Sequence, residues 1–213
     1  MKIILCILLP LLVVVVGMFF FMPGSAAQPV KALEEATTGH KILIVYYSRA
    51  GKNYVSGDIV DLPVGNTAAV AEIIRQKTGA DVFEIKTVKP YPEDYTETTE
   101  VAKQELRDNA RPEIVGQVDN LAQYDTIILG YPNWWGTVPM AVRTFLDKHD
   151  LSGKTILPLC THEGSGMGRS VKDLRAALPH STVKKGLPIR GTRVCRKDAS
   201  IPAEVEAWLG ENL

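Results

Sequence analysis

The sequence predicts an α/β fold, a three-layer sandwich on a doubly wound, five-stranded parallel sheet. Continuous apolar, β-branched runs recur along the chain, as strands buried on both faces require. Segments with helical periodicity fill the gaps between them. The 213 residues suit one leader and one domain of ordinary size, large enough to bury a core without staples.

The elements follow in order. Ile42-Leu43-Ile44-Val45-Tyr46-Tyr47 reads as the first strand. Asn66-Thr67 opens a helix with Val70, Ile73 and Ile74 on one face and Gly79 as its stop. Val82-Phe83-Glu84-Ile85 is a second, shorter strand, and Thr98 to Leu106 is helical. Thr126 to Gly130 is the third strand. Pro139 suits the first turn of a helix that turns Val142, Phe145 and Leu146 inward. Thr155 to Cys160 is the fourth strand, although Pro158 removes one ladder donor. A helix with Val171, Leu174 and Leu178 comes next, then a fifth strand near Thr182 to Leu187. Ser200 is placed to cap a last helix carrying Val205, Trp208 and Leu209.

Ahead of this domain, Lys2 precedes an apolar run from Ile3 to Met22, followed by Pro23-Gly24-Ser25-Ala26-Ala27-Gln28. A positive start, an apolar stretch and a small-x-small site describe a secretory signal. The run is longer than the ~7–15 residues of a signal core and reaches the ~20 that span a bilayer. Residues 1–27 therefore fit either a cleaved signal peptide or an uncleaved signal anchor, 28–40 a linker, and 41–213 the domain. In both cases Lys2 and the α-amino group favour a cytoplasmic N-terminus. The domain is thus expected outside the cytoplasm, in the periplasm or its equivalent, with a membrane tether if the anchor is kept.

Charge narrows the function. Lys plus Arg and Asp plus Glu both number 24, and no basic stripe argues for nucleic acid. Of three cysteines, Cys6 lies in the leader; Cys160 and Cys195 either pair in an oxidising compartment or remain separate thiols. No Cys/His spacing suggests a metal. His40, His149 and His180 are expected on the surface.

Ligands of doubly wound sheets lie beyond the carboxyl ends of the strands, so three loops matter. The first opens with Ser48-Arg49-Ala50-Gly51 and closes with Gly65-Asn66-Thr67 at a helix start. Small residues, hydroxyls and a helix N-terminus make an anion site; alternatively Asn66 and Thr67 only cap the helix. No Walker lysine is present. The second loop, Tyr131-Pro132-Asn133-Trp134-Trp135-Gly136-Thr137, sets two of the three tryptophans side by side. Adjacent side chains cannot share one core layer, so at least one indole is expected at the tip, where a planar cofactor would cover it; alternatively both pack against neighbouring helices. The third loop, Thr161-His162-Glu163-Gly164-Ser165-Gly166-Met167-Gly168, has glycines for close backbone approach. Arg169 breaks a GxGxxG fingerprint and Glu163 breaks a GxSxG elbow, which argues against a Ser165 hydrolase.

Together these three loops resemble the flavodoxin-like superfamily, in particular bacterial flavodoxins with Pro-x-Trp-Trp-Gly and Thr-His-x-Gly-Ser-Gly loops. The resemblance covers about Lys41 to Leu213 and implies strand order 2-1-3-4-5 and FMN as cofactor. It implies that Ser48, the Arg49-Ala50 backbone, Gly65, Asn66 and Thr67 hold the phosphate. Pro132, Asn133, Trp134, Trp135 and Gly136 would line the ring, and Thr161, His162, Gly164, Ser165 and Gly166 would offer donors at its edge. Two departures stand out: an insertion over Lys52 to Val64, and no aromatic in the third loop to cover the second ring face. The resemblance leaves two flavin functions, an electron-transfer protein serving redox partner proteins or an FMN-dependent NAD(P)H:quinone-type oxidoreductase. A flavin-free interaction module is the third reading. Export favours electron transfer, because soluble nicotinamides are scarce outside the cytoplasm.

Overall fold

The computed structural model describes residues 41–213; the expected leader and linker lie outside the described residues. The central sheet is parallel, in the order β4-β1-β5-β6-β7, with β8 also on β6. Its strands are β1 (Ile42–Tyr46), β4 (Asp81–Glu84), β5 (Thr126–Pro132), β6 (Thr155–His162), β7 (Thr182–Val183) and β8 (Leu187–Arg190). Counting only these strands gives the order 2-1-3-4-5, with one correction. The fifth position is shared by two short strands, β7 beside Thr155 and Ile156 and β8 beside Leu159 to His162. Pro158 explains the split. The Ile156 carbonyl accepts from Lys184 N–H on this edge at 3.0 Å, so Pro158, two residues on, meets the same edge without a donor. It falls where β7 has ended and β8 has not begun.

The side-chain alternation of the strands builds two cores. Ile42, Ile44, Ile128, Leu157 and Leu159 pack on one face with Val70 and Ile74 of α1 (Asn66–Thr78) and Val205, Trp208 and Leu209 of the last helix, α6 (Ile201–Asn212). Leu43, Val45, Ile127, Leu129 and Ile156 pack on the other with Val142 and Phe145 of α3 (Met140–Lys148) and Leu174 of α4 (Ser170–Ala177). The helix α2 (Tyr95–Arg107) lies beside α3, and the short α5 (Gly191–Cys195) follows β8 directly. Gly79 ends α1 in the left-handed region, φ 65°, its N–H on the Arg75 carbonyl.

Two local expectations are corrected, and the insertion takes a definite form. Ser200 makes no side-chain cap on α6; its hydroxyl turns to Asp198 at 2.6 Å instead. His149 is not a surface bystander. It stacks on Phe145 at 4.1 Å, and its Nε2 accepts from Val118 N–H. The 52–64 insertion is a two-stranded hairpin, β2 (Gly51–Val55) and β3 (Asp58–Leu62), joined by Ser56 and Gly57, both at positive φ. Such a two-residue turn matches the twist of the flanking strands.

Phe145 is fully buried between α3 and the sheet. Phe145→Ala is expected to cost about 3–5 kcal/mol of unfolding free energy, read as a lower urea midpoint at unchanged slope.

Candidate ligand cleft at the strand ends

The chain leaves β1 towards α1 on one face of the sheet, and β5 towards α3 on the other. A cleft opens between the diverging loops, as it must where winding direction reverses. Asn53, Tyr54, Asn66, Tyr95, Pro132, Asn133, Trp134, Thr161, His162, Glu163 and Gly191 line one part of it, a cavity of about 130 Å³. Asn53, Tyr95, Asn133 and Trp134 also wall an adjoining cavity of about 390 Å³ that reaches Trp135 and α2.

At the anion end, Gly65 precedes α1 with no side-chain cap. A Cβ there would lie 2.3 Å from Ser48 Oγ and 2.5 Å from the Arg49 carbonyl, so only glycine lets the two chain segments meet. Ser48 Oγ accepts from Ala68 N–H at 3.0 Å. The Gly65 carbonyl accepts from Ala69 N–H. The N–H groups of Asn66 and Thr67 have no partner among the described residues and point out of the helix start. Asn66 and Thr67 therefore do not cap α1 with their side chains. Thr67 instead shares a buried hydroxyl bridge of 2.7 Å with Thr161, joining the first and third loops.

Arg49 faces away from the anion end. Its guanidinium donates to the carbonyls of Lys52, Pro92 and Glu93, the last two at 2.8 and 2.7 Å. It anchors the hairpin to the turn before α2. Asn53 Nδ2 holds the Arg49 and Gly51 carbonyls from the cleft side, at 3.2 and 2.9 Å. Ser48, Ala50 and Gly51 also border a separate cavity on the β4 side, of about 560 Å³.

In the second loop, Trp134 and Thr137 exchange backbone hydrogen bonds of 3.0 and 3.1 Å around Trp135 and Gly136, at φ 52° and 82°. This tight turn sends the indoles in different directions. Trp134 packs edge-on against Tyr47 and Tyr91, centroids 5.4 and 5.0 Å away, and lines the cleft. Trp135 is 45% exposed; its Nε1–H donates to the Thr99 carbonyl and Lys103 sits 5.0 Å over its ring. The exposed tip indole is Trp135, and the indole lining both cavities is Trp134. Tyr131 lies beneath, fully buried, its hydroxyl on Ser170.

The third loop is tied to the second. Asn133 donates through its backbone N–H to the Thr161 carbonyl and through Nδ2 to the Gly166 carbonyl. Arg169 N–H donates to the Gly136 carbonyl. Gly168 permits that approach, since its Cβ would fall 2.4 Å from the same oxygen. Asn133 is thus a staple between loops. Gly164 N–H is committed to His162 Nδ1 at 2.9 Å, and Ser165 is exposed. Glu163 is held by Thr192 Oγ1 and Arg190 Nε, both on its Oε2. Its Oε1 is buried without a hydrogen-bond partner among the described residues.

The sequence reading missed Tyr54 and Tyr95, the aromatics that the third loop lacks. Tyr54 comes from the hairpin and Tyr95 from the first turn of α2; they stack at 6.2 Å and 27°, and both line the smaller cavity with Trp134. Two signals mark them. Ser56-Gly57 between short β-prone runs spells a hairpin. Asp94, whose carboxylate accepts from Glu97 N–H, starts a helix at Tyr95. Cys160 and Cys195 are both free thiols. Burial pushes the Cys160 thiol up to about 12. No cluster able to hold a metal ion occurs among the described residues, nor any helix long and apolar enough to cross a membrane.

A parallel sheet with reversed winding, and a cleft between β1 and β5 walled by aromatic side chains, defines the flavodoxin-like class. A family model described as Flavodoxin matches residues 60–206, and the chain belongs to that family. A protein from Bacteroides eggerthii assigned to the flavoproteins is 28% identical, over 76% of this chain and 98% of its own, with a TM-score of 0.59. One from Bacteroides uniformis is 25% identical, over 80% and 97%, at 0.60. A flavoprotein from Lactobacillus acidophilus, solved in complex with FMN, shares the fold at 22% identity, over 75% and 99%, at 0.54. A search of curated proteins finds no match.

Two outcomes test this geometry. Thr67→Val leaves the Thr161 hydroxyl buried and unpaired, at a cost of about 1–3 kcal/mol. Adding Thr161→Val is expected to recover part of it, measured as a double-mutant cycle in urea. His162 is held below its usual 6.5 by burial, partly offset by Glu163 and reinforced by Arg190. Its neutral ring accepts Gly164 N–H, so the unfolded chain binds the proton more readily than the folded one. The resulting stability is complete above pH 6.5 and is lost as pH falls below it. Melting temperature across that range should fall less steeply for His162→Gln than for the wild type.

Proposed function

We propose that this domain binds FMN and transfers electrons as a flavodoxin acting outside the cytoplasm. One observation carries the reading: the helix start with free N–H groups at Asn66 and Thr67 brings Asn66 into a cleft that the Trp134 indole and the Tyr54–Tyr95 pair also line. Helix dipole and backbone donors favour a terminal phosphate, and the aromatic walls favour a planar ring. The residues present therefore fit FMN, which when bound supplies one- and two-electron redox chemistry.

The chain's own residues do the rest. Asn66, Thr67 and Ser48 receive the phosphate, and Pro132 and Thr161 flank the sugar-alcohol chain. Trp134, backed by Tyr47 and Tyr91, offers a fixed face to the ring. Tyr54 and Tyr95 screen the opposite side, which suits electron exchange at a ring edge better than hydride delivery to an open face. Redox partner proteins are the expected electron donors and acceptors, and the apolar run from Ile3 to Met22 supports export with a possible membrane tether. A second reading, an NAD(P)H:quinone-type oxidoreductase, draws on the 390 Å³ cavity beside Trp134 and Trp135, which has room for a further planar ligand.

The purified protein should be yellow and release FMN on denaturation; a colourless protein that takes up no flavin overturns the assignment. Steady NADH or NADPH oxidation with a quinone would favour the second reading over the first. Trp134→Ala should weaken FMN binding about tenfold, the scale of a lost stacking face, and Trp135→Ala by much less. Titration of flavin fluorescence reads both.

A further inference from the structure

Asn66 is the first residue of α1, so its side chain stands beside the free N–H groups of the anion end. A carboxamide has two faces of opposite polarity. Its N–H side attracts a phosphate and its oxygen side repels one. Nothing within α1 chooses between them.

Two side chains from distant parts of the chain do. Cys195, at the end of α5, donates its thiol to Asn66 Oδ1 at 3.2 Å. Burial raises the Cys195 pKa, so the sulfur keeps its proton and remains a donor. On the other side lies Glu163, whose Oε1 is buried without a partner among the described residues. Gly191 shows how near the two heads are: a Cβ on it would sit 2.4 Å from Asn66 Nδ2 and 2.8 Å from Glu163 Oε1. A buried carboxylate oxygen with no donor is costly, and the Asn66 amide is the donor group beside it. Thr192 and Arg190 fix the other oxygen of Glu163, which leaves Oε1 without a donor beside the Asn66 amide, to which it is not bonded in this structure.

We propose that Cys195 and Glu163 are positioning residues for the Asn66 carboxamide, Cys195 holding its oxygen and Glu163 Oε1 drawing one hydrogen of its nitrogen, so that its N–H side is presented to a phosphate monoester. The second hydrogen of Nδ2 then joins the N–H groups of Asn66 and Thr67 in receiving the anion. This inference rests on the FMN reading and adds to it a reason for Glu163, Gly191 and Cys195.

The test compares FMN with riboflavin, which lacks the phosphate, by fluorescence titration on the folded domain. Glu163→Ala should weaken FMN binding about fivefold, the scale of one hydrogen bond, and Glu163→Gln, which keeps an acceptor oxygen, should restore most of it. Cys195→Ala should weaken FMN several-fold and Cys195→Ser should restore it. Riboflavin affinity should change little in all four. Gly191→Ala forces the two heads apart and should reproduce the Glu163→Ala loss.

Equal losses for FMN and riboflavin would reduce the cluster to a structural prop and overturn the proposal. Tighter FMN binding by Glu163→Ala would do so too, since simple repulsion between carboxylate and phosphate would then prevail. Unchanged FMN affinity in every variant, with a wild type that binds FMN, overturns this inference alone. A wild type that binds neither flavin overturns the cofactor reading and this inference with it.

Discussion

The sheet reverses its winding between β1 and β5, and the cleft depends on that reversal. Ile42 and Ile44 must be covered on one face and Leu43 and Val45 on the other, so α1 and α3 are drawn to opposite sides. The loops that reach them diverge, and the strand ends between them stay uncovered by the fold itself. A gap made in this way has to be held at a set width. The bonds that hold it run between loops: Thr67 to Thr161, Asn133 to Gly166, Arg169 to Gly136. Because these groups satisfy one another, the donors left for a ligand are few and fixed, chiefly the N–H groups of Asn66 and Thr67.

The layers are legible in the sequence because burial on both faces demands unbroken apolar runs, and helix periodicity fills the intervals. The strand ends that carry the site follow from the same pattern. Side-chain direction does not. Arg49 follows a strand in an anion loop, yet the carbonyls of Lys52, Pro92 and Glu93 capture its guanidinium, and no local pattern announces three backbone acceptors. Trp134 and Trp135 are equivalent in sequence; the positive φ of Trp135 and Gly136 separates them. The stacking of Tyr54 on Tyr95 at the cleft joins residues from different elements, and only the closed fold brings them together. The division of the fifth strand is the reverse case, since Pro158 marks it in the sequence and the missing donor explains it.

The hairpin accounts for the chief departure from the flavodoxin pattern. An insertion of this length costs little in chain entropy once its strands pair, and Arg49 secures it to the turn before α2. It carries Tyr54 to the cleft side where the third loop has only Gly164, Ser165 and Gly166. The missing aromatic and the added hairpin are thus one compensated change. With Tyr54 carried by the hairpin, the third loop stays small enough to pack Gly168 against Gly136.

The electrostatics of the cleft follow from the same economy of charge. The cations closest to it are engaged elsewhere, Arg49 with carbonyls and Arg190 with Glu163. An anion received there meets oriented dipoles, namely the start of α1, backbone N–H groups and one carboxamide. Dipoles at contact distance act over a few ångströms, whereas exposed charges act over about the Debye length, ~8 Å at physiological ionic strength. Affinity built this way depends weakly on salt and strongly on angle. Among charges the orientation of Asn66 would matter little; in a cleft of neutral donors it decides whether a polar group attracts or repels the phosphate. That places the burden of recognition on the residues that orient Asn66, namely Glu163 and Gly191 in the cleft wall and Cys195 on the carboxamide oxygen.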